Sequence, residues 1–554
     1  MKILLIQPPI QDFYQTPIRT QPIGLAYLAA SLIKEGYEVE ILDCQTEKRK
    51  SIPTPPELSY LKEVYPFQDR SPFKLYTGFY HFGMGWEEIR KEIEKSKADI
   101  FGISSSFTPY HGEALKVAQL IKEWNSKKIV VMGGSHVSCD PEGVLKSPFV
   151  DYVILGEGEY RLLSLMGCLK KGKKNEIDLM DGIGYKRNGE IHINPPRSFI
   201  LDLDSIPPPA RDQLDLDRYR INQERSTMII TSRGCPHGCT YCSAHLVMGS
   251  SFRMRSPENI LQEMVECRER YGIETFDIED DNFTFDLTRA KRLMALIIKT
   301  FGESRLELSA MNGTSFASLD GELIHLMKKA GFHTLNLSYL STVVSTKERM
   351  KRPQPVIEFG SILKEAEKVR LNVIAYAILG IPGQTIEEMI DTLVYLMGER
   401  VLIGPSIYYP TPGTPLFERC KKDGILPYHL SQWRSSALPI ETKEFDRHDL
   451  ATLLRLTRVI NFIKGKMDQG TLEEGITWRK LFQKIKDKAV VRAQDRMTAW
   501  ADLLVMLFEE RSFFSLRKDV QGRPSFQKEK SSKRVLDNYF QNGFDRPILK
   551  TRSD

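Results

Sequence analysis

Three cysteines within a span of eight residues have the strongest chemical potential in the sequence. Cys235, Cys239 and Cys242 form the spacing CxxxCxxC in the segment RGCPHGCTYC. Thiolates are soft ligands, and three of them on one glycine-containing loop can bind one corner of a [4Fe–4S] cluster. Such a cluster normally takes four thiolates, so three leave one iron open to a substrate or cofactor. An open coordination position is typical of a catalytic metal centre.

Two other interpretations of these thiols stay open at the level of sequence. A structural zinc site would need a fourth ligand, which His237 or His245 could supply, although zinc sites usually combine paired CxxC or HxxxH arms. Buried, unreactive thiols are the other alternative, but three of the eight cysteines of the chain cluster here. We expect the five scattered cysteines to be structural thiols: Cys44, Cys139, Cys168, Cys267 and Cys420.

Strands and helices alternate upstream of the cysteines. Strands that are apolar on both faces, separated by helices, predict a parallel sheet that is covered on both sides. A proline- and aromatic-rich insertion, residues 51–85, predicts a lid over one edge of this sheet. The predicted strands are Lys2–Gln7, Tyr37–Asp43, Asp99–Ser104, Lys128–Gly134 and Asp151–Gly156, and the predicted helices are Ile23–Glu35 and His111–Glu123.

The carboxyl ends of these strands carry small or polar residues. Ligands of such sheets bind outside the carboxyl ends, and glycine lets a ligand approach the backbone closely. Any one of these turns could be an ordinary strand-to-helix turn, but together they predict a ligand crevice. The first strand lacks a following GxGxxG, so a dinucleotide is a poor candidate. The candidate residues are Gln7, Pro8, Ser104, Ser105, Gly133, Gly134, His136, Gly156, Glu157 and Gly158.

The cysteine spacing, with Tyr241 just before the third cysteine, resembles the radical S-adenosylmethionine (SAM) enzymes. The upstream segments PIGLAYLAASL, GGSHVS and LGEGE resemble the cobalamin-binding domain of their cobalamin-dependent subclass. The resemblance covers residues 1 to about 430. It implies an α/β fold with a Rossmann-like cobalamin-binding parallel sheet (1–170), a connector (171–220), a partial (β/α)6 radical SAM barrel (221–430) and a C-terminal helical region (431–554).

The resemblance also assigns SAM contacts at the carboxyl ends of the barrel strands. The matching acidic position binds the SAM amino group, a role that needs an acceptor for a cation. Plain turn chemistry for the glycines and a solvated strand end for the acids are the alternatives. The matching residues are Tyr241, Glu279, Asp280, Asp281, Ser309, Asn312, Gly380 and Gly383.

Two departures from the family pattern stand out. The fifth barrel strand is LSYLST, with Tyr339 where a small residue is usual. Tyr339 could shape the substrate pocket, and Arg349 and Arg352 could bind the SAM carboxylate. The DxHxxG motif that supplies an imidazole to cobalt is absent, which predicts cobalamin without an enzyme histidine on the metal. His136 is then a hydrogen-bonding loop residue.

The function implied by the resemblance is reductive cleavage of SAM to a 5′-deoxyadenosyl radical, followed by cobalamin-dependent methylation of an unactivated carbon. The family offers two alternatives. The enzyme could form a ring or rearrange its substrate, or it could have lost cobalamin and use the first domain to bind substrate. A zinc- or cluster-bearing binding protein without turnover is the alternative from another class. The implied partners are an external one-electron reductant such as flavodoxin or ferredoxin and a small-molecule, lipid or peptide substrate.

Composition sets the outer limits. A chain of 554 residues is too long for one hydrophobic core. Its 78 Lys and Arg against 72 Asp and Glu give a net charge of +6, too small to imply a nucleic-acid partner. The sequence shows no transmembrane segment and no secretion signal, so we expect a cytoplasmic enzyme with reduced thiols. We expect C-terminal helices over Leu450–Met467 and Thr498–Glu510, and a solvated tail from Ser512.

Overall fold

The computed structural model describes residues 1–14, 21–45, 48–352, 358–487, 499–519 and 521–551. Thr498, the predicted start of a C-terminal helix, lies outside these ranges. In the described part of the chain, no helix combines the length and the apolar character needed to cross a membrane.

Within the first 194 residues, a mostly parallel sheet has helices on both faces. The helices and strands are β1 (Lys2–Gln7), β2 (Ile10–Asp12), α1 (Ile23–Lys34), β3 (Glu38–Asp43), β4 (Arg49–Ile52), β5 (Phe79–Phe82), α2 (Trp86–Ser96), β6 (Ile100–Ser104), α3 (His111–Trp124), β7 (Ile129–Gly133), α4 (Ser135–Cys139), α5 (Pro141–Leu145), β8 (Tyr152–Ile154), α6 (Glu159–Lys171), β9 (Ile183–Arg187) and β10 (Glu190–Asn194).

The strand order of this sheet is β10-β9-β8-β7-β6-β1-β3. β3, β1, β6, β7 and β8 are parallel, whereas β9 and β10 are antiparallel. Residues Ile3 to Ile6 of β1 are all buried because helices cover both faces of the sheet. The order of the strands reverses between β1 and β6, which is where sheets of this topology bind their ligands. β9 and β10 lie within the segment 171–220 that we expected to be a connector.

The insertion at residues 51–85 packs into the hydrophobic core, so the prediction that it forms a lid is wrong. β5 pairs with both β2 and β4 in a small antiparallel sheet. Tyr65 and Phe73 are buried in the same core as the barrel. The Tyr65 hydroxyl also donates to the carbonyl of Ser436 at 2.9 Å. The insertion therefore joins the first domain to the C-terminal third of the chain.

The second part of the chain is the partial barrel. The helices and strands are β11 (Arg220–Ile221), β12 (Glu224–Ile229), β13 (Ser232–Arg233), α7 (Ala244–Met248), β14 (Arg253–Met254), α8 (Pro257–Tyr271), β15 (Thr275–Ile278), α9 (Leu287–Phe301), β16 (Glu307–Ser309), α10 (Gly321–Ala330), β17 (Thr334–Leu340), α11 (Val344–Arg349), α12 (Phe359–Lys368), β18 (Asn372–Leu379), α13 (Ile386–Gly398), β19 (Leu402–Ile407) and α14 (Pro415–Lys422).

The barrel wall consists of β12, β15, β16, β17, β18 and β19 in this order. Parallel ladders join β12 to β15 to β16, and β17 to β18 to β19. Two isolated parallel bridges, Leu308 to Phe332 and Thr314 to Leu337, connect the two halves. The carboxyl ends of these strands therefore meet at one mouth, where barrels of this kind place their functional groups.

The C-terminal region differs from the sequence prediction in its last part. It contains α15 (Arg447–Asp468), α16 (Trp478–Lys486), α17 (Trp500–Glu510), β20 (Phe514–Lys518), β21 (Pro524–Lys528) and α18 (Lys533–Gly543). The predicted solvated tail is wrong, because β20 and β21 form a hairpin and α18 packs on α13 and α15. Leu536, Tyr539 and Phe540 of α18 are buried.

Candidate active site

The cysteine loop is fixed at both of its ends. It starts directly after β13, where Gly234 has a φ of +81° and a Cβ would lie 2.4 Å from the carbonyl oxygen of Ser251. Only glycine fits such a position. Farther along, the backbone N–H of Thr240 donates to the carbonyl of Met350 at 3.1 Å. The loop then passes into α7.

The three thiols lie close to one another in a partly buried setting. Cys239 is 5% exposed, and Cys235 and Cys242 are half-buried. Burial raises the pKa of the Cys235 thiol. Burial also raises the pKa of Cys242, to about 11, and nearby thiols and Asp281 add to both shifts. Such thiols are protonated near neutral pH, and a bound metal ion would favour their thiolate form.

The surroundings of the cysteine loop bear on the choice between a zinc ion and a cluster. Among the described residues, no three His, Cys, Asp or Glu side chains converge closely enough to hold one metal ion. His237, a candidate fourth zinc ligand, packs against the ring of Phe285 at a centroid distance of 5.7 Å. His237 thus packs on an aromatic ring, and the prediction of a [4Fe–4S] corner continues to rest on the CxxxCxxC spacing.

Asn282 is a site residue that the sequence interpretation missed. Its side chain is 3% exposed, and its Nδ2 donates to the Sγ of Cys235 at 3.9 Å. The backbone N–H of Ala244 donates to the Sγ of Cys242 at 3.5 Å. Hydrogen bonds to cluster sulfurs tune the reduction potential of iron–sulfur centres. In the sequence, Asn282 could have been recognised as a polar amide directly after the three acidic residues.

The three consecutive acids after β15 have three different environments. Asp280 accepts hydrogen bonds from the N–H of Thr231 at 2.7 Å and from the hydroxyls of Thr231 and Ser232 at 2.5 and 2.7 Å. It therefore fixes the approach to the cysteine loop. Asp281 accepts the N–H of Gly234 at 3.1 Å. Glu279 is the acid that borders the central cavity.

Glu279 and Asn312 face this cavity together. Nδ2 of Asn312 donates to Oε2 of Glu279 at 2.5 Å. Burial, and next the charge of Asp277, raise the pKa of Glu279 to about 8. Ser309 lies behind them and donates to Asp277 at 2.6 Å. A cationic ligand group next to Glu279 would favour its ionised form.

The remaining predicted SAM residues do not border the cavity. Tyr241 is partly buried against the barrel core. Gly380 and Gly383 follow β18, and a Cβ on Gly380 would lie 2.9 Å from Cδ2 of Leu450 on α15. Tyr339 packs against Phe359, with ring centroids 4.6 Å apart, and is only 7% exposed. The expectation that Tyr339 shapes a substrate pocket is therefore wrong, because a core of aromatic side chains encloses it.

Arg349 and Arg352 were the other candidates for the SAM carboxylate. Arg349 Nη2 lies 3.3 Å from Oε2 of Glu388 on α13. Arg352 Nη2 donates to the carbonyl of Ser338 at 3.4 Å. Neither side chain borders the central cavity among the residues that the structure describes.

A cavity of about 450 Å³ lies at the carboxyl ends of the first sheet. This volume falls within the usual range of ligand sites. The turns after the parallel strands form its floor, and Met228, Ile230 and Asn312 line it from the barrel side. The cavity therefore lies between the two domains. Nine of the ten predicted cobalamin residues line it: Gln7, Pro8, Ser104, Ser105, Gly133, Gly134, Gly156, Glu157 and Gly158.

His136, the tenth residue, lies in the core instead. Its Nδ1 is 3.0 Å from the hydroxyl of Thr108, and its ring centroid is 4.3 Å from that of His111. Burial lowers its pKa to about 4, so the ring stays neutral. His136 thus has the surroundings of a structural hydrogen-bonding residue.

Closely packed turns form the floor of the cavity and leave space for a ligand above them. Gly134 has a φ of +121°, and a Cβ there would lie 2.6 Å from the carbonyl oxygen of Ser105. The turns after β6 and β7 therefore approach each other closely. Ser105 lies within hydrogen-bond distance of Nδ1 of His111, at 3.0 Å. A polar, close-packed floor of this kind fits the tail of a large cofactor.

A buried ion cluster connects the cavity floor to the cysteine loop. Glu157 accepts hydrogen bonds from Nη1 of Arg233 at 3.0 Å and from Nη1 of Arg253 at 2.8 Å. Nη2 of Arg233 also donates to Glu159 at 2.6 Å. All four side chains are buried. Arg233 is two residues before Cys235, so this cluster couples the positions of the two sites.

Comparison with known proteins agrees with this two-domain site. The family model of the radical SAM superfamily matches residues 229–396, and that of the B12 binding domain matches residues 76–165. The chain is 30% identical over 477 residues to an uncharacterized methyltransferase of Pyrococcus horikoshii, with 84% of this chain and 94% of the relative covered. It is 28% identical to the cytidylyl-2-hydroxyethylphosphonate methyltransferase of Streptomyces wedmorensis, with 78% and 84% covered.

Solved structures share the fold. The radical SAM methyltransferase TsrM of Kitasatospora setae, with cobalamin and a [4Fe–4S] cluster bound, superposes with a TM-score of 0.57 at 18% identity, covering 76% of this chain and 75% of TsrM. The cobalamin-dependent radical enzyme OxsB, with aqua-cobalamin and SAM bound, gives 0.59 at 16% identity, covering 92% and 72%.

The fold and the site define a radical SAM enzyme that carries a cobalamin-binding domain. The chain belongs to the cobalamin-dependent radical SAM family. Its cofactors are a [4Fe–4S] cluster, SAM and cobalamin, and its chemistry needs an external one-electron reductant.

Proposed function

We propose that this enzyme methylates an unactivated carbon atom of its substrate. The bound cofactors supply the reductive cleavage of SAM and the carrier of the methyl group. The protein supplies position, a proton-binding carboxylate and protection from water. The names of both methyltransferase relatives, from Pyrococcus horikoshii and Streptomyces wedmorensis, favour methyl transfer over ring formation.

One observation carries this proposal: a single cavity touches the predicted sites of two cofactors. Ser105 and Gly134 border it from the first domain, and Glu279 and Asn312 border it from the barrel. A methyl group that is held over the sheet can thus reach a carbon that is activated at the barrel mouth. Holding two reactants in one enclosed space removes much of the entropic cost of their encounter.

The cysteine spacing and the contacts of Glu279 support the residue assignments. We propose that Cys235, Cys239 and Cys242 hold the cluster and that Glu279, with Asn312, binds the amino group of SAM. Glu279 gives up its proton to solvent when the SAM ammonium group approaches, because the cation stabilises the carboxylate. Asp280 positions the loop, since its oxygens already accept three hydrogen bonds.

The domain limits and the compartment are part of the proposal. The first sheet includes β10, so we place the first domain at residues 1–194, the connector at 195–220, the barrel at 221–430 and the C-terminal domain at 431–554. All eight cysteines carry free thiols. Free thiols and the need for a reductant suit a reducing compartment, so we propose a cytoplasmic enzyme.

Anaerobic reconstitution tests the proposed function. The purified chain is supplied with iron, sulfide and hydroxocobalamin, and its visible spectrum is compared with that of a Cys235→Ala/Cys239→Ala/Cys242→Ala variant. We expect a broad shoulder at about 400 nm in the native chain alone and retained cobalamin in both. With dithionite added as the electron donor, we expect SAM-dependent release of 5′-deoxyadenosine only in the native chain. A colourless chain, or one that loses cobalamin on washing, would contradict the proposal.

A further inference from the structure

A second pocket, of about 380 Å³, lies where three distant parts of the chain meet. The insertion contributes Glu57 and Phe79, the start of α3 contributes His111 and Glu113, and the C-terminal region contributes side chains between residues 429 and 434. Its volume lies within the usual range of small-molecule sites. The proposed function uses none of these residues, so the second pocket has no part in it.

A single turn separates the second pocket from the central cavity. Tyr110 borders the central cavity, whereas Pro109 and His111 on either side of it border the second pocket. Oγ of Ser105, on the floor of the central cavity, lies 3.0 Å from Nδ1 of His111. The two spaces are therefore neighbours with different linings.

The second pocket carries a surplus of negative charge. Glu57 accepts a hydrogen bond from the hydroxyl of Ser431 at 2.9 Å. Within the ranges that the structure describes, no Lys or Arg nitrogen lies within 4.0 Å of a carboxylate oxygen of Glu57 or Glu113. Arg434 also borders the pocket, but it is buried, and its Nη1 lies 3.1 Å from Oδ2 of Asp12. Asp12 thus compensates Arg434, and the two glutamates keep their charge.

His111 adds a ring nitrogen that is available to a ligand. Its side chain is only 3% exposed, and its Nδ1 is taken by Ser105. Among the described residues its Nε2 makes no hydrogen bond, yet protein atoms do not enclose it, so it opens into the pocket that the ring borders. Burial, and next the charge of His136, lower the pKa of His111 to about 3, so the ring is neutral. When Nδ1–H donates to Ser105, Nε2 is an acceptor.

These groups match the shape and charge of an organic ammonium ion. A primary ammonium group has three N–H donors, and Glu57, Glu113 and Nε2 of His111 are three acceptors on one pocket. Phe79 and the half-buried Trp86 offer aromatic surface, which attracts cations and covers an apolar body. Burial raises the pKa of Glu113 to about 7 although the charge of Arg434 opposes the shift. A bound cation would favour its carboxylate form.

We infer that the second pocket binds a small primary amine in its ammonium form. The ammonium group donates to Glu57, Glu113 and His111, and the apolar body of the amine packs against Phe79 and Trp86. Hydrogen bonds between an ammonium group and carboxylates are charge-assisted and stronger than neutral ones. The inference does not rest on the proposed function, because none of these residues contacts the predicted cluster or SAM site.

Isothermal titration calorimetry of the full chain with phenethylamine tests the inference. At pH 8 the amine is protonated and Glu113 is mostly ionised. We expect one site per chain with a Kd below about 1 mM. Phenethyl alcohol has the same ring without the charge, so we expect it to bind about tenfold or more weakly. A chain that fails to bind phenethylamine, or that binds the amine and the alcohol equally, would overturn the inference.

A pair of charge-neutralised variants locates the site. Glu57→Gln/Glu113→Gln removes both charges from the second pocket. Glu35→Gln/Glu94→Gln is the matched control, because both side chains are exposed and neither borders this pocket. Each pair raises the net charge by two, from +6 to +8. We expect Glu57→Gln/Glu113→Gln to lower the affinity for phenethylamine about tenfold or more, and the control to match the native chain.

An unchanged affinity in Glu57→Gln/Glu113→Gln would contradict the assignment of the ammonium site. Circular dichroism verifies that the variants are folded. If this double variant does not fold, Glu113→Gln alone replaces it, with a smaller fall expected and no fall overturning the inference. Glu279→Gln removes the acid that borders the central cavity and should bind phenethylamine as the native chain does. A tenfold fall in Glu279→Gln would place the amine in the central cavity and overturn the inference.

Discussion

Asn282 holds a position from which it can adjust the cluster without binding iron. Its amide donates to the Sγ of Cys235 from a buried site. A hydrogen bond to sulfur stabilises the reduced, more negative cluster more than the oxidised one. With the cluster on Cys235, as we propose, we expect the redox behaviour of the centre to depend on a residue outside the cysteine motif.

We predict that Asn282→Leu lowers the midpoint potential of the cluster while iron stays bound. One hydrogen bond contributes about 1 kcal/mol, which corresponds to a few tens of millivolts at about 59 mV per factor of ten. Redox titration followed by electron paramagnetic resonance (EPR) measures the shift. The matched variant is Asn312→Leu, whose amide contacts Glu279 and no cysteine. Equal potentials in Asn282→Leu and the native chain would contradict the assignment.

Glu279 should make SAM binding depend on pH. Its pKa of about 8 leaves it mostly protonated at pH 6, and the cationic amino group of SAM requires the carboxylate. Affinity for SAM should therefore rise with pH, by up to about tenfold per unit between pH 6 and 7.5. Equilibrium dialysis with the cluster-loaded chain measures this. Glu279→Gln should bind SAM more weakly and with a flat profile; a native profile in that variant would exclude Glu279 as the partner.

At the scale of elements, the buried ion pairs of Glu157 connect two turns that are far apart in the sequence. The turn after β8 forms the cavity floor, and β13 leads into the cysteine loop. Removing one partner of a buried ion pair leaves a charge without compensation and costs about 3–5 kcal/mol. Replacing either the arginine or the glutamate should therefore lower the free energy of unfolding.

We predict that Arg233→Met lowers the thermal midpoint of the cofactor-free chain clearly. Lys95→Met is the control, because Lys95 and Glu92 form an exposed pair at 3.6 Å whose loss should change stability by less than about 0.5 kcal/mol. Differential scanning calorimetry compares the two variants with the native chain. Similar midpoints for Arg233→Met and Lys95→Met would show that the ion cluster does not hold the domains together.

Features that depend on nearby residues could be predicted from the sequence. The alternation of strands and helices is local, and the fold inferred from it is confirmed; nine of the ten residues predicted at the carboxyl ends of the strands border the cavity. The cysteine spacing is local as well, and the cluster-binding role inferred from it stays a prediction. Asn282 and Cys235, or Arg233 and Glu157, meet only when separate elements dock, and no local pattern reports such a meeting. The three acids after β15 also look alike in sequence, yet only Glu279 borders the cavity.

The prediction for the C-terminal tail failed for a different reason. Residues after Ser512 are rich in charge, and charge suggested a solvated segment. The charged residues occupy the turn and outer face of a hairpin, whereas Phe514 and Leu516 face inward. A short amphipathic hairpin next to a buried helix is thus easily taken for a tail when only composition is considered.

At the scale of the whole molecule, the C-terminal region supports the barrel from outside. Val535, Leu536 and Phe540 of α18 are buried against it. Burial of these three side chains contributes about 5–9 kcal/mol, which is comparable to the stability of a whole protein at about 5–15 kcal/mol. We predict that a chain ending at Arg511 will be insoluble or unfolded.

Truncation tests this directly. A chain that ends at Thr551 is the control and should elute and melt as the full chain does. Soluble expression, gel filtration and circular dichroism compare the two. A chain ending at Arg511 that folds with a native thermal midpoint would show that the hairpin and α18 are dispensable.

The central claim is that the proposed SAM site at Glu279 and Asn312 and the proposed cobalamin site border the same cavity, which would place cobalamin close to a cluster on the cysteine loop. EPR spectroscopy of the anaerobic chain carrying both cob(II)alamin and the reduced cluster tests it most directly, because two nearby unpaired spins broaden each other's signals. We predict a broadened cob(II)alamin signal in the native chain and an unbroadened one in Cys235→Ala/Cys239→Ala/Cys242→Ala. Identical signals in both proteins, with iron and cobalamin bound to the native chain, would contradict the claim.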